Sequence, residues 1–161
     1  MNNTDLVVQH VSDQDVHSIS KERLRLWLRL LQVNKIIENE IREFLRTEHD
    51  TTLPRFDVMA ALYKMKKGAK MSELSQALMV SNGNVTGIID RLVTEGLVIR
   101  AAIEGDRRST RVQLTNAGKK RFEKQAAAHE AKVNELFSAV NYDDAAGIIT
   151  RLDRLVHEKG E

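Results

Sequence analysis

Residues 81–118 decide the fold, and they read SNGNVTGIIDRLVTEGLVIRAAIEGDRRSTRVQLTNAG. Over residues 82–94 the apolar side chains recur every three or four positions, which is the period of a helix. The period then changes to two, so residues 97–103 and 109–114 are predicted as strands around a glycine-bearing loop at 104–108. The stretch therefore predicts a helix that is followed by a β-hairpin.

The predicted helix over residues 82–94 has two different faces. Its apolar side chains are expected to pack inward: Val85, Ile88, Ile89 and Leu92. The opposite face carries Gly83 and Gly87, and each glycine costs about 1 kcal/mol relative to alanine inside a helix. We interpret the pair as allowing close approach of another molecule, such as a DNA groove, although a frayed helix start would also explain it. Asp90 on this face would repel phosphates, so we expect it to lie beyond the contact or to pair with an arginine.

Two helices are predicted before this one. Pro54 suits the first position of a helix, and residues 72–78 form a shorter helix. A turn with Ser81 as N-cap leads into the helix at 82–94. This order of helices, followed by a hairpin, is typical of a helix-turn-helix with a wing, whose second helix enters the major groove. The polar residues that can donate to phosphates or base edges there are Ser81, Asn82, Asn84 and Thr86.

The predicted hairpin tip offers a second contact. Asp106, Arg107 and Arg108 place two guanidinium groups on a loop that is narrow enough to meet the minor groove. Asp106 can hold Arg108 through a forked ion pair. An exposed turn with surface charges is the alternative interpretation. The position of the tip directly after a recognition-type helix favours DNA.

Longer helices are predicted on both sides of this module. One runs from Ser20, as its N-cap, to about Thr47, and another follows Thr115 as N-cap. In the second, a set of mostly apolar residues recurs at alternating steps of four and three, which predicts a seam for packing against another helix: Phe122, Ala126, His129, Val133, Leu136 and Val140. A last helix carries Ala145, Ile148, Ile149, Leu152, Leu155 and Val156. Residues 1–19 show no clear period and predict a flexible arm.

Composition excludes several classes of function. The 161 residues include no cysteine, so thiolate metal sites, disulfides and cysteine nucleophiles are excluded. The five histidines are scattered and no glycine-rich phosphate loop is present, so we expect no enzyme, no metal and no cofactor. Without a signal peptide or a long apolar run, a cytoplasmic protein with no membrane partner is expected. Residues 100–124 hold eight basic and three acidic residues, a local charge of +5 that is typical of a nucleic-acid contact.

The run LVTEGLVIRAAIEGDRRSTRVQLTNAG, residues 92–118, resembles the signature of the MarR (multiple-antibiotic-resistance regulator) family. The resemblance implies a mainly α fold with a small hairpin, in a dimeric winged-helix transcription factor. It also implies a division into an N-terminal arm (1–19), a helical dimerisation region (20–50 and 115–161) and a DNA-binding domain (51–114). By position, Arg108 would be the minor-groove arginine and Asp106 its partner. The recognition-helix contacts would be Ser81, Asn82, Asn84 and Thr86.

Three stretches are similar to the branch of this family that controls aromatic-acid catabolism: residues 27–31, 53–59 and 79–87. Members of that branch sense aromatic acids or their CoA thioesters. The similarity implies an effector site between the dimer helices and the winged domain. Trp27 or Tyr63 would line it, and Arg23, Arg29 or Arg55 would meet a carboxylate or phosphate. A core position for Trp27 and surface positions for the arginines are the alternatives.

The expected function is therefore a homodimeric repressor that binds a near-palindromic operator and is released by a small effector, an aromatic acid or an aryl-CoA thioester. Two other functions stay open at this point. A winged-helix adaptor would bind another protein instead of DNA. A constitutive DNA-binding regulator would have no effector.

Overall fold

The computed structural model describes residues 13–79, 82–103 and 106–159. This part of the chain forms six helices and one antiparallel pair of strands: α1 (Asp13–His49), α2 (Leu53–Lys64), α3 (Met71–Leu78), α4 (Asn82–Thr94), β1 (Val98–Ile103), β2 (Asp106–Leu114), α5 (Asn116–Leu136) and α6 (Tyr142–Lys159). The elements confirm the expected mainly α fold with a winged helix-turn-helix. None of these helices is long and apolar enough to cross a membrane.

The chain divides into two compact units, the first ending at Asn39 and the second starting at Glu40. In the first unit α1 begins at Asp13, so the predicted start at Ser20 is wrong and residues 13–19 of the predicted arm are helical. That segment contains neither glycine nor proline, the two residues that oppose a helix most strongly. Residues 1–12 of the predicted arm lie outside the described residues.

The core of the second unit is built from α2, α3, α4 and the hairpin. Thr52 caps α2 by accepting a hydrogen bond from the backbone N–H of Arg55, and Pro54 is the second residue of that helix. The fully buried side chains of the core include Leu45, Val58, Met59, Leu74, Val85, Ile89, Leu92, Val98 and Val112. The inward face predicted for α4 is confirmed for Val85, Ile89 and Leu92, which are completely buried, whereas Ile88 is only partly buried.

The hairpin packs against this core through its base. Val98 of β1 lies opposite Leu114 of β2, and the regular register ends in an irregularity between Ala102 and Ile103. β2 begins at Asp106, so the prediction that 106–108 belong to a loop is wrong. Pairing with β1 continues to this residue, and Ile103 lies opposite Asp106. The paired part of the hairpin is therefore longer than the sequence period predicted, because β2 starts three residues earlier, at 106 instead of 109.

A tight junction joins the end of α4 and the start of β1 to α5. Gly96 has φ +71°, a left-handed conformation that side chains rarely adopt. The hydroxyl of Thr115 donates to the carbonyl of Gly96 at 2.7 Å and accepts from the backbone N–H of Gly118 at 3.0 Å. The predicted cap of α5 is thus confirmed. The helix ends at Leu136, so placing Val140 on the same helix was wrong.

Candidate nucleic-acid interface

The outer face of α4 is open to solvent. Gly83, Asn84, Thr86, Gly87 and Asp90 are all exposed. A Cβ atom added at Gly83 or Gly87 would meet no atom of the described residues within 4 Å. Because α4 begins at Asn82, both glycines lie within the helix, and Gly87 is well past its first turn. A frayed start therefore does not account for Gly87, and the fold itself gives no packing reason for either glycine.

Asp90 on this face pairs with an arginine, which was one of the two expected outcomes. Its Oδ1 lies 2.6 Å from Nη2 of Arg100, and Arg100 comes from β1. The pair thus connects the recognition helix to the hairpin, and it neutralises the one acidic residue of α4. Arg100 was not among the predicted site residues, although an acidic residue on a DNA-facing helix is a signal that a basic partner lies nearby.

The predicted DNA contacts fall into two groups. The structure places Asn84 and Thr86 on the exposed face of α4. Ser81 lies outside the described residues, as do the side chains of Asn82, Asp106, Arg107 and Arg108. The backbone of residues 106–108 belongs to β2, which puts both arginines at the tip end of the hairpin.

Another arginine of the basic segment has a structural position. Nη1 of Arg111 donates to the carbonyl of Gly68 at 2.8 Å and lies 3.9 Å from a carboxylate oxygen of Glu73. The neighbouring residues reinforce this contact, since Ala69 and Val112 exchange backbone hydrogen bonds of 2.9 Å. Arg111 therefore ties β2 to the turn before α3, so the local charge of +5 overestimates the charge that is free to meet DNA.

Two of the predicted effector residues lie in the second unit. The hydroxyl of Tyr63 donates to Oε1 of Glu123 at 2.9 Å, and this bond raises the pKa of Tyr63 above its usual value. The ring of Tyr63 lies 4.9 Å from that of Phe122. Tyr63 also lines a cavity of about 680 Å³ between α2, the base of the hairpin and the start of α5, together with Lys66, Ile99, Leu114 and Lys119.

Arg55 is engaged elsewhere. Its Nη2 lies 2.5 Å from Oε2 of Glu95, and the hydrogen bond to Arg55 holds the pKa of Glu95 below its usual value. The ion pair joins α2 to the turn after α4. The structure therefore does not bring Arg55 to the cavity beside Tyr63.

The other three predicted effector residues, Arg23, Trp27 and Arg29, belong to the first unit. All three are exposed there, and Trp27 is 56% exposed. The core position considered for Trp27 is thus wrong for the single chain. Arg29 donates to Oε1 of Gln32 at 3.0 Å, one turn further along α1.

His129 lies on the predicted seam of α5 and stacks on Phe56, with 4.7 Å between the ring centres. Burial lowers the pKa of His129, and the charge of Asp57 opposes part of that shift. The histidine is therefore a packed side chain, as its place on the seam predicted. Within residues 13–79, 82–103 and 106–159, no group of three metal-ligating side chains comes together.

Comparisons with known proteins agree with this geometry. The family model described as MarR family matches residues 51–110. The chain is 30% identical over 148 residues to the HTH-type transcriptional regulator PapX of Escherichia coli, covering 89% of each protein. It is 27% identical over 130 residues to the HTH-type transcriptional regulator PecS of Dickeya dadantii, covering 78% of this chain and 76% of that protein.

Solved structures show the same likeness. A MarR family transcriptional regulator from Silicibacter pomeroyi is 31% identical, with a TM-score of 0.73 and coverage of 91% of this chain and 98% of that one. A mutant of MarR from E. coli in complex with operator DNA is 26% identical, with a TM-score of 0.71 and coverage of 83% and 95%. The likeness thus extends over both the winged module and the flanking helices.

Proposed function

The chain belongs to the MarR family of transcriptional regulators and binds DNA, and we propose that it does so as a homodimeric repressor of a near-palindromic operator that a small effector releases. The observation that carries the proposal is the outer face of α4. A Cβ atom at either glycine would meet none of the described residues within 4 Å, while Val85, Ile89 and Leu92 on the inner face are completely buried. A helix with this division is held rigidly by the core and presents a smooth backbone to a groove.

A substitution on this face tests the proposal. Replacing Gly87 with leucine adds a bulky side chain in open space, so the fold should tolerate it while the helix can no longer approach the bases. We expect the affinity for a duplex from upstream of the protein's own gene to fall by about a hundredfold, measured by fluorescence anisotropy. Ala117→Leu on the exposed surface of α5 is the matched control. Wild-type affinity of Gly87→Leu would remove the argument from the glycines.

The hairpin arginines are proposed to act in the minor groove. Arg108→Ala should weaken operator binding without lowering the melting temperature. Retention of wild-type affinity in a gel-shift titration would contradict this assignment. The adaptor alternative predicts no shift of promoter DNA by either the variant or the wild-type protein.

Dimerisation is supported by apolar side chains that a single chain leaves in water. On α1 the exposed fraction is 56% for Trp27 and 55% for Leu28, and on α6 it is 58% for Ile149 and 52% for Leu155. Exposed rows of this kind mark interaction surfaces. We expect light scattering to give twice the chain mass, and Leu28→Glu to reduce it to that of one chain. Glu22→Ala, at an exposed charged position of α1, should leave the mass unchanged.

The proposed effector is an aromatic acid or its CoA thioester. Tyr63 beside the cavity and Trp27 on α1 offer aromatic surfaces, and the similarity to the aromatic-acid branch supports this class. A ligand that binds the folded protein should raise the melting temperature by mass action. It should also weaken operator binding by about 5- to 150-fold. If aromatic acids and acyl-CoA thioesters change neither quantity, a constitutive regulator is the better description.

A further inference from the structure

Arg100 occupies the place where the recognition helix meets the hairpin. It belongs to β1, opposite Val112 of β2, and its guanidinium reaches across to Asp90 of α4. Both side chains remain accessible, at 41% exposure for Arg100 and 54% for Asp90. The ion pair is therefore on the surface, and water or another molecule can reach it.

The pair also continues the open face of α4. Gly83, Gly87 and Asp90 follow one another at steps of four and three, so they share one side of the helix. Asp90 is the last of the three, and the guanidinium of Arg100 lies 2.6 Å beyond its carboxylate. The surface that presents glycine backbone to DNA thus ends in a guanidinium that comes from the hairpin and is paired with Asp90.

The shape of a DNA duplex predicts what Arg100 would meet in a complex. A helix in the major groove and a hairpin tip in the adjacent minor groove are separated by one phosphodiester strand. The residues between α4 and the tip must cross that strand, and Arg100 lies on this crossing. α4 itself supplies no net charge for it, since Asp90 and Arg91 cancel.

The chemistry of the pair suits a phosphate. A guanidinium has five N–H donors, so it can hold the carboxylate of Asp90 and a phosphate oxygen at the same time. The bond to Asp90 restricts the long arginine side chain before DNA arrives, which lowers the entropy lost on binding. We propose that Arg100 binds a backbone phosphate at the boundary between the two grooves and that Asp90 positions its guanidinium. This inference rests on DNA binding alone, and neither the dimer nor the effector enters it.

The salt dependence of binding tests the proposal. Each phosphate contact contributes about 0.9 to the slope of log K against log salt concentration, so Arg100→Ala should reduce the slope by about that amount per bound protomer. At one fixed salt concentration we expect affinity to fall about tenfold or more. The loss should be equal on the operator duplex and on an unrelated duplex, because a phosphate carries no sequence information. Arg100→Lys should keep the slope.

Two controls separate contact from structure. Arg46→Ala removes another exposed arginine that is paired with a carboxylate. Arg46 lies on α1, outside α4 and the hairpin, so this variant should leave the salt slope unchanged. The melting temperature of Arg100→Ala should also stay unchanged, because exposed ion pairs contribute little to stability. A weaker Arg100→Ala protein with the wild-type slope would overturn the proposal.

A double variant excludes a simpler explanation. Arg100→Ala exposes the charge of Asp90, and that charge alone would repel DNA. In Arg100→Ala combined with Asp90→Asn, we expect both the affinity loss and the reduced slope to persist. Full recovery of affinity would mean that Arg100 only neutralises Asp90, and the proposal would be wrong. Failure of the wild-type protein to bind any duplex would overturn DNA binding itself, whereas an unchanged slope in Arg100→Ala overturns this assignment alone.

Discussion

Gly118 at the start of α5 and Gly87 on the outer face of α4 are both helical, but their surroundings differ. A Cβ atom at Gly118 would lie 2.0 Å from the carbonyl oxygen of Leu97, which is far inside the contact distance of the two atoms. At Gly87 the same atom would meet nothing within 4 Å. Close packing of backbone against backbone therefore requires glycine at Gly118, whereas no contact in the described part of the chain requires it at Gly87.

This difference separates a residue that serves the fold from one that serves binding. The junction around Gly118 gains a short contact between α5 and the turn after α4, which fixes the base of the hairpin. The outer face of α4 gains no contact from its glycines and gives up about 1 kcal/mol of helix stability at Gly87. A residue that lowers local stability and makes no compensating packing contact is expected at a functional site.

The largest effect should come from the junction. Gly118→Ala forces the backbone of Leu97 to move, and overpacking of this kind costs about 3 kcal/mol. We expect the midpoint of urea unfolding to fall strongly, with DNA affinity lost only as the fold is lost. Ala117→Ser, at the exposed neighbouring position, is the control for a small change in this turn. A fully stable Gly118→Ala protein would show that the junction is not as tight as its distances indicate.

A smaller effect is expected at Thr115, which makes two hydrogen bonds in the same junction. Thr115→Ala removes the cap of α5, worth about 1 kcal/mol, and the bond to the carbonyl of Gly96, worth about another 1 kcal/mol. The free energy of unfolding should therefore fall by about 2 kcal/mol in total. Thr115→Ser keeps the hydroxyl and should retain most of the stability. Equal losses in both variants would mean that the methyl group, and not the hydrogen bonds, carries the effect.

The sequence predicted local features of both regions. The ends of α4 at Asn82 and Thr94, its buried side and the cap by Thr115 follow from residue spacing and capping chemistry within a few positions. The reason for Gly118 could not be predicted, because the carbonyl of Leu97 comes from the turn between α4 and β1, about twenty residues earlier in the chain. The same holds for Arg111, whose partner Gly68 is 43 residues away.

The candidate site was predicted to a similar extent. Exposure of Asn84 and Thr86 follows from helical period, and it is observed. The partner of Asp90 depends on the direction that β1 takes after α4, which the sequence does not give. The sequence therefore predicted only that an arginine could pair with Asp90, and not that this arginine is Arg100. The start of α1 was missed because serine is a residue type that caps helices, which favoured a start at Ser20. The residues before it are helical without a local signal of this kind.

The smallest effect should come from Gly87→Ala, and its sign is the sharpest test of the comparison. The change is chemically identical to Gly118→Ala, but a methyl group at Gly87 enters open space and removes the cost of a helical glycine. We expect the free energy of unfolding to rise by about 1 kcal/mol, while affinity for operator DNA falls because the helix backbone is held further from the bases. Urea unfolding and anisotropy on the same preparation measure both quantities. Two results would contradict the comparison: a lower free energy of unfolding for Gly87→Ala, or a higher one with unchanged DNA affinity. Either result would mean that the outer glycines are not binding residues and that their difference from Gly118 has no bearing on function.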